Sequence, residues 1–139
     1  MYEHPAPRYN FGGVALAGDA AHASGPHLGS GAGFGIEDSL VLASVLEAAN
    51  AEVRAQPSTE VKARRCRDAL ITYNLMRFAR TQWLPGATRE AGELFQWRDK
   101  AVGKDHEKFS KRVHELYHTI WDNDIDEMVN VSVAAFKKA

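Results

Sequence analysis

Residues 14–43 decide the fold prediction and read Val14-Ala-Leu-Ala-Gly-Asp-Ala-Ala-His-Ala-Ser-Gly-Pro-His-Leu-Gly-Ser-Gly-Ala-Gly-Phe-Gly-Ile-Glu-Asp-Ser-Leu-Val-Leu-Ala43. The stretch begins as a short apolar run over residues 14–17, passes through a glycine-rich loop and ends in a helical pattern. The apolar run predicts a buried strand of the parallel-sheet kind. A loop that leads small residues into a helix N-terminus can hold an anionic or electron-rich group, because the first helical N–H groups lack internal partners.

Partners for that strand are hard to find in the rest of the sequence. A parallel strand needs neighbours for its backbone hydrogen bonds, and no second segment of the chain has a convincing strand pattern. We therefore expect the strand at residues 14–17 to pair with something unobvious, or with strands that are not on this chain.

The remaining sequence predicts helices. The first runs from about Ala32 to Ala49, and its expected apolar face consists of Ile36, Leu40, Ala43 and Leu46, broadened by Val41, Leu42 and Val45. The next begins at a Ser58 or Thr59 cap and runs to about Leu84, where Pro85-Gly86 is expected to break it.

Three further helices are predicted in the second half of the chain. One spans Arg89 to Lys100 with Thr88 as its cap, and another spans about His106 to Trp121 at clean helical spacing. The last starts at Asp124, which resembles a capping box with Asp in place of Ser or Thr.

Composition narrows the function classes. The 139 residues carry 17 Lys and Arg against 18 Asp and Glu, so a net charge of -1 gives no argument for nucleic acid or an anionic membrane as partner. The single cysteine, Cys66, cannot form an intrachain disulfide, which is typical of a reducing compartment. Without a signal-like or membrane-spanning pattern, the sequence favours a cytoplasmic protein.

The glycine-rich stretch offers specific chemistry. Gly18 and Asp19 follow the strand, where a carboxylate can accept hydrogen bonds from sugar or polyol hydroxyls, and Pro26 fixes the backbone of the turn. The glycines at positions 29, 31 and 33 let main chain approach a flat ligand, and the N–H groups of Gly31, Ala32 and Gly33 are free to face an electron-rich oxygen. The spacing fits neither GxGxxG nor a P-loop, so a purely structural turn remains an alternative on these residues alone.

The same residues carry a family resemblance. Gly18-Asp-Ala-Ala-His22, then Pro26, Gly29-Ser-Gly-Ala-Gly33 and Ile36-Glu-Asp-Ser-Leu-Val-Leu-Ala43, resemble the second flavin motif of the FAD-dependent aromatic hydroxylases. These are flavoprotein monooxygenases of the salicylate and para-hydroxybenzoate hydroxylase type. The resemblance extends over most of the chain and is strongly specific over residues 14–43.

The resemblance implies a fold, a cofactor and a reaction. The fold is the α/β FAD/NAD(P)-binding fold, represented here by a mostly α-helical C-terminal fragment with one short β-strand near residues 14–17. Asp19 would bind the ribityl chain of FAD, Gly18 would belong to the same cofactor site, and the backbone at Pro26, Gly29, Gly31, Ala32 and Gly33 would line the isoalloxazine ring. NAD(P)H would reduce the FAD, and the reduced flavin with dioxygen would hydroxylate a small aromatic substrate.

The family pattern is only partly present. The sequence contains no GxGxxG segment and no middle flavin and nicotinamide motif, so we expect a single partial domain over residues 1–139 that is inactive alone. Within it, residues 1–13 form an extended lead-in, residues 14–49 the strand, flavin loop and helix, and residues 58–139 the helical C-terminal part. The expected protein partner is the missing N-terminal sheet, or a second copy through a self-association surface.

Other residue patterns in the chain indicate alternative functions. His114-Glu-Leu-Tyr-His118 is a literal HExxH, so a zinc hydrolase with Glu115 as general base is one alternative, although both histidines fall off the apolar stripe of their helix. A non-catalytic helical interaction module is another. Beside the flavin loop, His22 is interpreted as a structural hydrogen-bonding residue, and His27 as a candidate contact to the flavin or the substrate.

Overall fold

Two long helices joined by a short loop form the centre of the computed structural model, which describes residues 6–139. They are α2 (Gly31–Ala55) and α3 (Thr59–Phe95), and ion pairs join them near their connection, from Arg65 to Glu52, and farther along, from Arg77 to Asp38. Before them come β1 (Asn10–Phe11), β2 (Val14–Ala15), the short helix α1 (Asp19–His22) and a 3₁₀ turn (Pro26–Leu28); after them come α4 (His106–Trp121) and α5 (Ile125–Lys138).

The strand predicted near residues 14–17 is present as β2, but its pairing differs from the expectation. β2 pairs antiparallel with β1, with Asn10 opposite Ala15, so the partner strand lies in the segment expected to be an extended lead-in. Gly12, at φ 62°, permits the tight connection between the two strands. Val14 is 60% exposed, so the interpretation as a buried parallel strand is wrong. The first five residues of the lead-in lie outside the described residues.

Helix α2 turns only part of the expected face inward. Val41 and Val45 are buried as predicted, but Ile36 is 70% and Leu40 39% exposed and Ala43 is exposed as well, so the predicted face is wrong at these three positions. The side chains that α2 buries are Phe34, Asp38, Val41, Val45 and Ala49. A carboxylate can lie on this buried face because donors from three other segments reach it, as described below.

Helix α3 is continuous through Pro85, so the expected break at Pro85-Gly86 and a separate helix over residues 89–100 are both wrong. The Thr88 side chain caps nothing; its hydroxyl donates to the carbonyl of Gly25 at 2.7 Å. Proline removes one helical N–H donor, but Leu84 and Ala87 on either side of it are buried in the core. Tertiary packing therefore holds the helix together where local propensity opposes it.

Two predicted helix caps are confirmed, and a third cap was not predicted. Ser58 accepts a hydrogen bond from the N–H of Val61 at 3.1 Å, and Asp124 accepts one from the N–H of Glu127 at 2.8 Å. The helix predicted over residues 106–121 is confirmed as α4, capped by Asp105. Each cap supplies an acceptor to a first-turn N–H that has no helical partner.

Two apolar clusters hold the glycine-rich segment between them. One contains Ala21 of α1 with residues of α2, α3 and α5, and the other contains Leu28 of the 3₁₀ turn with residues of α2, α3 and α4. The segment between His22 and Gly31 is thus anchored at both ends. None of the helices within residues 6–139 has the length and apolar character needed to cross a membrane.

Candidate functional site

The turn at Gly18 has a backbone conformation that requires glycine. Its φ of 55° and ψ of -137° lie in a region that residues with a Cβ avoid. The turn lies against α2, because a Cβ added to Gly35 would meet the Cα of Gly18 at 3.5 Å. The amide N–H of Gly18 donates to Oδ2 of Asp38, 2.9 Å away. Since Gly35 is four residues from Gly31, the turn lies about 6 Å along the α2 axis from the helix N-terminus.

Asp19 is the first residue of α1 and is exposed. Its carboxylate makes no hydrogen bond or ion pair with any side chain in residues 6–139. An ionised carboxylate only accepts hydrogen bonds, so Asp19 is available to donors from outside the chain such as hydroxyl groups.

The N-terminus of α2 is uncapped. The Ser30 hydroxyl donates to the carbonyl of Leu28 at 2.9 Å instead of accepting from the helix. The first backbone hydrogen bond into α2 comes from Phe34, whose N–H donates to the Ser30 carbonyl at 3.0 Å. The N–H groups of Gly31, Ala32 and Gly33 consequently have no acceptor in the described part of the chain. Three free donors at the positive end of a 25-residue helix favour an electron-rich oxygen.

An open groove of about 410 Å³ runs from this N-terminus along α2. Of the predicted site residues, Gly29 and Gly33 line it, whereas Gly18, Asp19, Pro26, Gly31 and Ala32 do not. Its apolar wall comes from residues that the sequence interpretation did not assign to a site, namely Ile36, Leu40, Trp121 and Ile125. Gly29, at φ 64°, ends the 3₁₀ turn and redirects the chain into α2.

A buried polar network lies directly beneath the Gly18 turn. The Asp38 side chain is fully buried, and its Oδ2 is 2.7 Å from Nε2 of His22 while its Oδ1 is 2.8 Å from Nε of Arg77. Burial alone raises the pKa of Asp38, but hydrogen bonds from His22, Arg77 and Gly18 outweigh it and hold that pKa below 3.8. The structure places His22 as a buried hydrogen-bonding residue, in agreement with its interpretation from the sequence.

Sequence reasoning missed Asp38. The available signal was its position on α2, since Phe34, Asp38, Val41 and Val45 share the helical spacing of one face. A carboxylate on such a face needs partners, and those partners are remote in sequence.

His27 lies in the 3₁₀ turn with its ring against α3. A Cβ added to Gly92 would lie 2.8 Å from Cδ2 and Nε2 of His27, so the absence of a side chain at position 92 makes room for the imidazole. The hydrogen bond from Thr88 to the Gly25 carbonyl holds the same turn on α3. The His27 residue is exposed, and Pro26 begins the turn.

The HExxH residues lie on the exposed side of α4. His114 and His118 have ring centroids 5.7 Å apart, but Glu115 is bound by Arg112 at 2.8 Å and His118 pairs with Asp122 at 2.9 Å. Residues 6–139 contain no group of three His, Cys, Asp or Glu side chains placed to hold a metal ion. The zinc alternative thus has no third ligand within the described chain.

Comparisons with known proteins bear on the glycine-rich site. A family model described as an FAD binding domain matches residues 1–59. The chain is 44% identical over 137 residues to the FAD-dependent monooxygenase orf3 of Aspergillus niger, covering 98% of this chain and 31% of that protein. It is 43% identical over 137 residues to the FAD-dependent monooxygenase pigN of Monascus ruber, covering 99% of this chain and 31% of that protein.

A solved structure of a salicylate hydroxylase substrate complex matches the fold. Its TM-score is 0.77 at 34% identity, and the match covers 93% of this chain and 29% of the hydroxylase chain. The chain therefore spans about a third of the length of the curated relatives it matches. Sequence and fold agree with the resemblance of residues 14–43, and over 98% of its length the chain is similar to about a third of an FAD-dependent monooxygenase.

Proposed function

We propose that this chain supplies the ribityl-binding and ring-binding part of the FAD site of an NAD(P)H-dependent monooxygenase that hydroxylates an aromatic substrate. The observation that carries the proposal is the uncapped start of α2, where the N–H groups of Gly31, Ala32 and Gly33 have no acceptor within residues 6–139. When bound, FAD would supply the redox and oxygen chemistry, and the chain would bind and orient it.

The residues present fit such a cofactor on two counts. A flavin ring carries electron-rich carbonyl oxygens, which suit the three free donors and the positive end of the α2 dipole. A ribityl chain carries hydroxyl donors, which suit the exposed and unpartnered Asp19 carboxylate. The turn that leads into Asp19 meets α2 at Gly35, about 6 Å along the helix axis from Gly31, so both groups lie at the same end of α2.

The turn between these two points would lie against the flavin ring. Pro26 fixes its backbone, and Gly29 and Gly33 present main chain without side chains to the groove. In this proposal the donors of Gly31, Ala32 and Gly33 stabilise negative charge on the pyrimidine side of the ring, which is where a helix N-terminus is effective.

The aromatic substrate, and His27 as a contact to it or to the flavin, belong to the same proposal. His27 is exposed beside the groove-lining Gly29, and its ring is held against Gly92, so its position is defined before any ligand arrives. A cytoplasmic location is also proposed, on the grounds that the single Cys66 is a free thiol. The family match gives further support for FAD itself.

The test is a titration of the 139-residue chain with FAD, followed by amide resonances in two-dimensional NMR, which detects even millimolar dissociation constants. The proposal predicts that the shifts concentrate at residues 18–33 and that Asp19→Asn weakens binding. Glu107→Gln, an exposed change on α4, serves as the matched control and should bind like the wild type. Shifts confined to α4 or α5, or no shifts at millimolar FAD, would overturn the proposal. The chain alone is expected not to oxidise NAD(P)H, because its sequence holds no GxGxxG segment.

A further inference from the structure

One carboxylate oxygen holds both ends of helix α1. Oδ2 of Asp38 accepts the N–H of Gly18, which precedes the helix, at 2.9 Å, and lies 2.7 Å from Nε2 of His22, which is its last residue. Because an ionised carboxylate can only accept, His22 donates this bond from Nε2. A helix of four residues has too few internal hydrogen bonds to fix its own direction, so the orientation of α1 depends on these two contacts.

The other carboxylate oxygen is held in turn. Oδ1 of Asp38 accepts from Nε of Arg77 at 2.8 Å, and the Arg77 side chain is fully buried. Arg77 also donates to the carbonyl of Phe34 at 3.3 Å and forms an ion pair with Glu37 at 2.8 Å. The Asp38 side chain therefore cannot rotate without breaking its bond to Arg77 of α3, and Arg77 is itself held by the α2 backbone.

Asp19 lies between the two anchored ends. It follows Gly18, whose φ of 55° and ψ of -137° set the direction in which the chain enters α1. Gly35 and Asp38 lie one turn apart on α2, so the contact at Gly35 and the hydrogen bond to Asp38 hold the Gly18 turn from the same face. The backbone that carries the exposed Asp19 is thus held at both ends by a single buried carboxylate.

We propose that Asp38 is a positioning residue for flavin binding, which fixes α1 through Gly18 and His22 so that Asp19 faces the ribityl hydroxyls. This inference rests on the proposed function, because it names the group that orients the ribityl contact. It predicts that Asp38 contributes to affinity only for ligands that have a ribityl chain.

The experiment compares riboflavin with lumiflavin, which has the same ring system and no ribityl chain. Binding of each to the full 139-residue chain is measured by NMR titration for the wild type, Asp19→Asn and Asp38→Asn. Loss of one hydrogen bond to a charged group should weaken riboflavin binding by about tenfold in both variants and leave lumiflavin binding unchanged. The double variant should lose no more than either single variant, because both changes remove the same contact.

Glu37→Gln is the matched control. Glu37 neighbours Asp38 and pairs with the same Arg77, but the described partners of its carboxylate are Arg77 and Arg80 rather than Gly18 or His22. Its ratio of riboflavin to lumiflavin affinity should equal that of the wild type.

A second pair of variants keeps the test decisive if Asp38→Asn does not fold. His22→Phe removes the donor at the end of α1, whereas His22→Gln retains an amide donor, so only the first should lower the riboflavin affinity relative to lumiflavin. Equal losses for both ligands in Asp38→Asn and His22→Phe would show a purely structural role and overturn the positioning proposal. Wild-type binding of neither ligand would overturn the proposed function itself, which is a different result.

Discussion

The imidazole of His27 lies directly over Gly92 of α3, in space that a side chain at position 92 would occupy. A Cβ at Gly92 would come within 2.8 Å of two ring atoms, closer than real Cβ contacts allow. Gly92 is buried in the interior of a 37-residue helix, where glycine is otherwise unfavourable by about 1 kcal/mol relative to alanine. The 3₁₀ turn at Pro26–Leu28 and helix α3 therefore pack closely against each other at this point.

Gly92→Ala should consequently stabilise the protein less than Gly86→Ala does. Both changes raise the helix propensity of α3, but a Cβ at Gly86 meets nothing within 4 Å, so that variant should gain about 0.5–1 kcal/mol. At Gly92 the gain is offset by displacement of His27. Urea unfolding followed by circular dichroism measures both free energies.

The contact to His27 is isolated by a third variant. Adding His27→Ala to Gly92→Ala should restore the gain seen at Gly86. Equal stabilities of Gly92→Ala and Gly86→Ala in the presence of His27 would contradict the assigned ring position.

Arg77→Met should strongly destabilise the chain. Both Arg77 and Asp38 have fully buried side chains, so removal of the guanidinium leaves a buried carboxylate without its main cationic partner. Breaking a buried pair in this way costs about 3–5 kcal/mol. Thermal and urea unfolding give the value.

Arg98→Gln is the comparison for that change. The ion pair of Arg98 with Glu93 is 3.2 Å long and more than half exposed at the arginine, so its loss should cost about 0–1 kcal/mol. Losses of similar size at the two positions would contradict the buried network.

Tyr9→Phe should destabilise the chain by about 1–2 kcal/mol. Tyr9 is fully buried, and its hydroxyl lies 2.6 Å from Oγ1 of Thr81 and accepts from Nε2 of Gln82 at 2.8 Å. The variant leaves these partners in place and removes the group they bind. Tyr117→Phe, whose hydroxyl has no partner among residues 6–139, should change the unfolding free energy by less than about 0.5 kcal/mol.

Acid should unfold the chain partly through Glu37 and Asp38. Burial raises the pKa of each, but hydrogen bonds and charge from Arg80 and Arg77 at Glu37, and from His22 and Arg77 at Asp38, lower both pKa values below 4.5 and 3.8 respectively. The folded state then binds fewer protons than the unfolded state, so this stability is fully present above about pH 5 and is lost as the pH falls through the folded pKa values.

Glu37→Gln tests this pH dependence. Its unfolding free energy should fall less steeply than that of the wild type below pH 4.5, because one of the two titrating groups is gone. Urea unfolding at half-unit steps from pH 7 to pH 3 gives both curves. Parallel curves would show that Glu37 does not contribute.

Local signals in the sequence located much of this fold. The cap at Asp124 predicts the start of α5, and the spacing of residues 106–121 predicts α4, because a cap and a helical repeat act within a few residues. The motif from Gly18 to Ala43 predicted the FAD-dependent monooxygenase family, which the relatives and the structural match confirm. The roles of Asp19 and Gly31–Gly33 in binding stay predictions.

The tertiary structure decided the rest. Pro85 predicted the end of α3, and helical spacing predicted an inward Ile36, whereas the structure continues the helix and leaves Ile36 70% exposed. Asp38 can be buried because Gly18, His22 and Arg77 bind its carboxylate. These partners lie 20, 16 and 39 residues away along the chain, so local sequence does not reveal them. The sequence alone determined the glycine-rich motif and the helix starts, because a turn or a cap depends on backbone groups only a few residues away. Whether a carboxylate can be buried depends on donors that only the folded chain brings together.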